Sequence, residues 1–129
     1  MRYIIDSFAW LEYFMGTDAG KKVKAIVDSE ADEKLTPSIC LAEIYAKVLR
    51  TEDQEKAELR RAFIKSRSAL IALTEELAVE AAKVDVVMKR RTPGWGLADS
   101  IVLSTAKKKN GKIVTGDPHF KGLPEVYLI

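Results

Sequence analysis

The sequence has few of the residues that build disulfides, zinc sites and membrane spans. Its 129 residues include only one cysteine, Cys40, which excludes an internal disulfide and any zinc site made of cysteines. No apolar run approaches the roughly 18 residues that a membrane span requires. The apolar part of the N-terminus is too short for a signal peptide and ends at an acid, Asp6. These absences predict a cytoplasmic protein without a membrane segment.

The overall composition is that of an ordinary globular protein. Hydrophobic residues make up 47% of the chain and charged residues 31%, and 129 residues are enough for one self-sufficient core. We therefore expect a single domain over residues 1–129. The net charge of +2 is only mildly basic, so charge alone does not identify a nucleic-acid binder.

Strand and helix patterns alternate along the whole chain. β-branched and aromatic runs predict strands at Arg2–Ile5, Lys34–Thr36, Ala69–Leu73, Lys112–Thr115 and Glu125–Leu128. Helical spacing and end signals predict helices from Ser7 to Gly16, Asp18–Glu30, Pro37 or Ser38 to about Arg50, Glu52–Arg67, Thr74 to Arg91 and Leu97–Lys109. This alternation favours an α/β layered fold with a mainly parallel central sheet.

Four of the 19 acidic residues stand in apolar or small-residue surroundings, namely Asp6, Glu43, Asp99 and Asp117. The others lie mostly in polar runs, where a charge costs little. An isolated carboxylate in a half-buried setting must be paired, protonated or bound to a cation. No lysine or arginine lies beside these four in sequence. A shared divalent metal is therefore the economical hypothesis.

The positions of these acids predict that they meet at one edge of the sheet. Asp6 and Asp117 follow strands, Asp99 lies in a first helical turn, and Glu43 projects from a helix. Ligands of parallel sheets bind at the C-terminal ends of the strands. Carboxylates suit Mg²⁺ and Mn²⁺, whose usual chemistry is phosphoryl or phosphodiester cleavage. Each acid also has a plainer explanation, since Asp99 fits a helix cap, Asp117 a turn, and Glu43 a pair with a distant lysine.

Four segments, taken in order, resemble one known family over the entire chain. They are Ile4–Trp10, Thr36–Ser38 with Leu41–Ile44, Gly96–Ile101 and Val114–Phe120. Together they are similar to the PIN-domain ribonucleases of the VapC toxin type. The resemblance implies a three-layer α/β/α fold around a mainly parallel sheet, with residues 1–129 as a single PIN domain.

The resemblance also implies a site, an activity and partners. The family's acidic quartet, which binds Mg²⁺ or in its place Mn²⁺, matches Asp6, Glu43, Asp99 and Asp117. Thr115 joins the implied catalytic set, and Ser7 matches a second small hydroxyl residue near the site. The implied activity is an endoribonuclease that hydrolyses RNA phosphodiester bonds with a metal-activated water. The implied partners are a VapB-type antitoxin, in a type II toxin–antitoxin pair, and a second copy of the chain in a homodimer.

Several further residues invite a functional role. His119, the only histidine, is expected at the surface of a turn rather than in catalysis, and Cys40 is expected to pack in the core. Lys47 and Arg50 follow Glu43 on the same helix and could reach an RNA phosphate.

The aromatic residues near the acids have two interpretations each. Trp10 and Tyr13 either pack in the core or line a groove for an antitoxin or a dimer partner. Trp95 lies between two glycines and either anchors its loop or stacks on an RNA base.

Three other functions fit parts of the pattern. A nuclease acting on structured DNA also uses clustered acids, although flap nucleases are usually longer than this chain. A receiver-type signalling domain surrounds Mg²⁺ with aspartates, but it carries paired acids after its first strand, and Asp6 has no acidic neighbour. A protein kept only as an interaction scaffold would not need four intact acids.

Overall fold

A five-stranded parallel sheet forms the centre of the protein in a computed structural model that describes residues 1–129. The strands in chain order are β1 (Arg2–Ile5), β2 (Glu33–Pro37), β3 (Ala69–Ile71), β4 (Lys112–Thr115) and β5 (Val126–Leu128). Their order across the sheet is β3-β2-β1-β4-β5, and all four neighbouring pairs are parallel. After β1, the chain adds β2 and β3 on one side of it, and then β4 and β5 on the other side.

Six helices cover the two faces of this sheet. They are α1 (Ser7–Met15), α2 (Asp18–Val27), α3 (Ser38–Thr51), α4 (Gln54–Arg67), α5 (Glu75–Arg91) and α6 (Leu97–Lys109). Helices α1, α2, α3 and α4 contribute to one buried cluster, which packs against one face of the sheet. A second cluster, mainly from α5 and α6, packs against the other face. None of the helices has the length and apolar character that a bilayer crossing would need. These layers confirm the predicted α/β/α architecture.

Alternating side chains on the two central strands divide the core between the layers. In β1, Ile4 packs with α5 and α6 while Ile5 packs with the opposite layer, and Ile113 and Val114 divide in the same way in β4. Successive residues of a strand point to opposite faces. All four side chains are fully buried. Such uninterrupted apolar strands are expected where helices cover both faces of a parallel sheet.

The predicted limits of β1, β4 and α6 are confirmed, but α2, α4, β3 and β5 are shorter than predicted, β5 by one residue at its start. Helix α2 ends at Val27 rather than Glu30, because the chain turns there to reach β2. Helix α4 begins at Gln54 rather than Glu52, because the Asp53 carboxylate caps it by accepting a hydrogen bond from the Lys56 backbone.

Strand β3 also ends earlier than predicted. The sequence predicts it as far as Leu73, but it ends at Ile71. The residues that follow must turn toward α5, whose N-cap Thr74 accepts a hydrogen bond from the Leu77 backbone N–H at 3.2 Å. The predicted cap at Thr74 is confirmed, and the apolar run Ile71–Leu73 is divided between the strand and the turn.

Helices α1 and α2 approach each other closely at Gly20. A Cβ atom at Gly20 would lie 2.1 Å from the backbone carbonyl oxygen of Glu12, which no change of side-chain rotamer can relieve. The Gly20 N–H also donates to the Thr17 hydroxyl at 3.0 Å and so caps the start of α2. The missing side chain lets α2 fold back against α1.

We expect Gly20→Ala to destabilise the protein, although glycine to alanine in a helix interior normally stabilises by about 0.8–1 kcal/mol. The added methyl group must push α2 away from α1, and overpacking of this kind costs about 1–3 kcal/mol. Urea unfolding followed by circular dichroism measures the free energy of unfolding. Ala25→Gly, at an exposed position of the same helix, is the control and should cost only the propensity difference. A Gly20→Ala protein more stable than the wild type would contradict the close approach.

Candidate active site

The site lies where the order of the strands reverses. Strands β1 and β4 are neighbours in the sheet although they are far apart in the chain, and connections leave them toward opposite sides. In α/β sheets the crevice at such a switch point, beyond the C-terminal ends of the strands, is the usual ligand site. Asp6 follows β1 directly, Thr115 is the last residue of β4, and Asp117 comes two residues later.

Asp6 is the buried centre of the site. Its side chain is nearly inaccessible to solvent, and both of its carboxylate oxygens accept hydrogen bonds. The Thr115 hydroxyl donates to Oδ2 at 2.8 Å, and the Cys40 thiol donates to Oδ1 at 3.5 Å. Burial raises the pKa of Asp6 above its ordinary value, although the hydrogen bonds from Thr115, the Ser7 backbone and Cys40 lower it. No lysine or arginine pairs with this carboxylate.

Thr115 connects the ends of the two central strands. While its hydroxyl donates to Asp6, the same oxygen accepts a hydrogen bond from the Asp117 backbone N–H at 3.0 Å. The position of Asp117 relative to Asp6 is therefore fixed through one hydroxyl group. Burial raises the pKa of the Cys40 thiol well above its ordinary value, so Cys40 remains a protonated donor on the other side of Asp6.

Glu43 lies on α3 at the rim of the site. The Ser7 hydroxyl at the start of α1 donates to its Oε1 at 3.1 Å. Partial desolvation raises the pKa of Glu43, the Ser7 hydrogen bond lowers it, and the nearby charges of Asp6, Asp99 and Asp117 raise it further. Glu43 makes no ion pair with a lysine, so the alternative that it pairs with a distant lysine is wrong.

Asp99 and Asp117 hold the opposite side of the site. Asp99, in the first turn of α6, accepts the Gly96 backbone N–H on Oδ2 at 3.0 Å. Asp117 accepts the His119 backbone N–H on Oδ1 at 2.9 Å and so begins the short 3-10 helix Pro118–Phe120. Both aspartates therefore make the capping contacts typical of a helix start and a turn, and both also face the cleft.

The four acids line one cleft of about 160 Å³ together with Ser7 and apolar side chains of α1 and α6. Glu43, Asp99 and Asp117 each use one carboxylate oxygen in a hydrogen bond and leave the other without a protein partner. The cleft contains no basic side chain except His119 at its edge. Hard oxygen donors without a balancing cation are the ligand set that Mg²⁺ and Mn²⁺ prefer.

His119 is a neighbour of the site that the sequence interpretation underestimates. Its Nδ1 atom lies 3.1 Å from Oδ2 of Asp99 and 3.7 Å from Oδ1 of Asp117, and its side chain is half-buried. His119 does lie in the predicted turn, and the contact of its ring with Asp99 is an additional finding. Its spacing of two residues from Asp117, across Pro118, is the only sequence signal of its position. Cys40 is buried as predicted, and its contact with Asp6 is an additional finding.

Two of the three aromatic residues, Trp10 and Trp95, are structural. Trp10 is fully buried and donates its indole N–H to the Thr36 hydroxyl at 3.0 Å, so the groove hypothesis is wrong for Trp10. Tyr13 is half-buried beside it and lines a surface pocket of about 520 Å³, so for Tyr13 the groove interpretation stays a prediction. Trp95 is also buried and donates to the Ser100 hydroxyl at 2.7 Å, so it anchors its loop and does not stack on a base.

The predicted basic contacts lie outside the cleft. Lys47 and Arg50 are exposed on α3, one and two turns beyond Glu43, and neither side chain makes a hydrogen bond or an ion pair with the rest of the chain. Neither residue lines the cleft.

Solved structures of similar fold include several toxin–antitoxin proteins. VapBC2 from Rickettsia felis, bound to a DNA fragment from its promoter, matches with a TM-score of 0.76 and 18% identity over 100% of this chain and 98% of that one. VapC20 from Mycobacterium tuberculosis, a toxin that cleaves the Sarcin-Ricin loop, matches with a TM-score of 0.76 and 15% identity over 95% of each chain. VapBC-1 from nontypeable Haemophilus influenzae matches with a TM-score of 0.75 and 15% identity over 100% of this chain and 97% of that one.

At these identities the solved structures establish the fold and nothing more. A search of curated proteins returns no match. The family comparison is more informative, because the PIN domain matches residues 3–126, which is nearly the whole chain. The strand order and the position of the acids at the switch point are consistent with this match. The chain belongs to the PIN domain family.

Proposed function

We propose that the protein is a Mg²⁺- or Mn²⁺-dependent endoribonuclease and the toxin of a type II toxin–antitoxin pair. The observation that carries this proposal is the convergence of four carboxylates in one cleft without a lysine or arginine partner. Like charges this close cannot all ionise cheaply unless a cation balances them. A structural cluster of acids would be expected to include its own balancing base.

The residues divide into an anchor and a rim. Asp6, fixed by Thr115 and Cys40, would be the rigid ligand, while the free oxygens of Glu43, Asp99 and Asp117 complete the donor set. When bound, the metal supplies charge stabilisation at the phosphate and lowers the pKa of a coordinated water. The protein holds the carboxylates in place beforehand, so little reorganisation is needed when the metal binds.

RNA is the proposed substrate because of the relatives. VapC20, whose fold this chain shares, is a toxin that cleaves the Sarcin-Ricin loop, and the cleft is open at the surface, where a phosphodiester backbone could approach it. Hydrolysis would leave 5′-phosphate and 3′-hydroxyl ends. A receiver-type signalling domain is less consistent with this chain, since its strand order is 2-1-3-4-5 rather than the order 3-2-1-4-5 observed here.

A VapB-type antitoxin is the proposed partner, and a homodimer the proposed assembly. Several of the similar structures are VapBC complexes, which supports the antitoxin as a partner.

Expression of the chain in a bacterial host should arrest growth, and co-expression of the small protein encoded beside it should restore growth. Arrest that no neighbouring gene product relieves would argue against the pair. Sedimentation of the purified chain as a monomer at micromolar concentration would argue against the dimer.

We expect Asp6→Asn to stabilise the metal-free protein and to abolish its stabilisation by metal. The pKa of Asp6 is raised by burial, so the folded state holds this proton more tightly, and stability falls as pH rises through the raised value. At pH 7 in EDTA the asparagine variant should therefore melt at a higher temperature than the wild type.

Addition of Mn²⁺ should reverse this ranking. Metal at 100 times its dissociation constant stabilises the wild type by about 2.7 kcal/mol, which is several degrees in melting temperature for a domain of this size. The variant should respond little. Differential scanning fluorimetry in EDTA, Mg²⁺ and Mn²⁺ measures both effects. Equal metal shifts in both proteins would remove Asp6 from the metal site.

We expect Asp6→Asn and Asp99→Asn each to lower the rate of RNA cleavage at least about a hundredfold, which is the upper end of what loss of a supporting hydrogen bond costs. Cleavage of a labelled RNA by wild type should require Mg²⁺ or Mn²⁺ and stop in EDTA. Asp85→Asn is the matched control, since Asp85 is also an aspartate near α6 but lies outside the cleft. Cleavage that survives in both site variants would point to a contaminating ribonuclease and refute the assignment.

A further inference from the structure

We propose that His119 is a positioning residue that orients Asp99 toward the metal. The inference rests on the proposed function and adds a residue to it. His119 Nδ1 lies 3.1 Å from Oδ2 of Asp99, on the same oxygen that accepts the Gly96 backbone N–H. Two donors thus converge on Oδ2, while Oδ1 has no hydrogen-bond partner in the protein and remains available to a ligand in the cleft.

The imidazole is a donor at Nδ1 in this contact. An ionised carboxylate only accepts hydrogen bonds, and a histidine nitrogen facing it must carry the hydrogen. With Nδ1 protonated, the ring fixes the plane of the Asp99 carboxylate in a way that one backbone N–H cannot. Partners of this kind around metal-binding carboxylates typically change metal affinity 10- to 100-fold when they are removed.

The local backbone directs the ring to Asp99. Asp117 accepts the His119 backbone N–H and thereby fixes the turn that carries the ring. Across the ring, a Cβ atom at Gly94 would lie 3.1 Å from His119 Nε2. Gly94 has φ +83°, a conformation that glycine adopts without strain, so the loop before α6 can pass close to the ring. The imidazole is therefore confined between this loop and the two aspartates.

The geometry favours positioning over two other roles. As a general base His119 would need a free nitrogen facing the cleft, but Nδ1 faces Asp99 and Nε2 faces Gly94. As a metal ligand through Nδ1 it would have to give up its hydrogen bond to Asp99. Positioning uses the contacts as they stand, and it predicts that a different side chain with a donor in the place of Nδ1 will substitute.

His119→Asn and His119→Gln provide the test, since the amide nitrogen of asparagine falls near the position of Nδ1 and that of glutamine near the position of Nε2. Calorimetric titration with Mn²⁺ measures metal affinity without reference to activity. We expect His119→Ala and His119→Gln to weaken Mn²⁺ binding 10- to 100-fold and His119→Asn to retain affinity within about threefold of wild type. Lys121→Ala, exposed in the same turn, is the control for general disturbance.

The outcomes separate the two proposals. If wild type binds no Mn²⁺, the proposed function fails, and this inference fails with it. If wild type binds Mn²⁺ and His119→Ala binds it equally well, only the inference is overturned. If asparagine fails as badly as alanine while the melting temperatures in EDTA agree, the ring itself is a ligand and positioning is wrong. Recovery by asparagine alone supports the hydrogen bond from Nδ1 to Asp99.

Discussion

The buried carboxylate of Asp6 constrains everything else in this site. Placing a carboxylate at the end of a central strand without a basic partner is unfavourable, since burial disfavours its charged form. The strand order makes the position possible, because it brings Thr115 alongside β1 to donate the hydrogen bond that holds Asp6. The protein thus carries a destabilised group at the point where a cation can relieve the cost. Carboxylates whose pKa is shifted by burial are common at functional sites.

The remaining acids show that a structural contact and a binding role are compatible. Asp99 begins a helix, Asp117 begins a turn, and Glu43 accepts from a hydroxyl on a neighbouring helix. Each contact occupies one oxygen and fixes the direction of the other. Capping is often treated as the alternative to ligation, but here it would orient the proposed metal ligands. The site is therefore held by elements that the fold requires in any case.

Much of this arrangement can be predicted from the sequence, because continuous apolar strands reveal a parallel sheet and isolated acids at strand ends reveal its functional edge. The limits of prediction lie where tertiary contacts decide. The ring of His119 meets Asp99 only because a turn and the start of α6, 20 residues apart in sequence, fold together. Trp95 has the local sequence of an exposed loop residue, yet it is buried and donates a hydrogen bond to a hydroxyl on α6. The shared pattern of one engaged and one free oxygen is likewise invisible in sequence.

The central claim is that the four carboxylates share a divalent metal. Crystals of the wild-type protein grown with Mn²⁺ would test it most directly through anomalous scattering. The account predicts a peak in the cleft at about 2.0–2.3 Å from oxygens of Asp6 and Asp99, within the range of hard cations on carboxylates. A cleft without a peak at saturating Mn²⁺, or one closed by a lysine or arginine side chain, would contradict it.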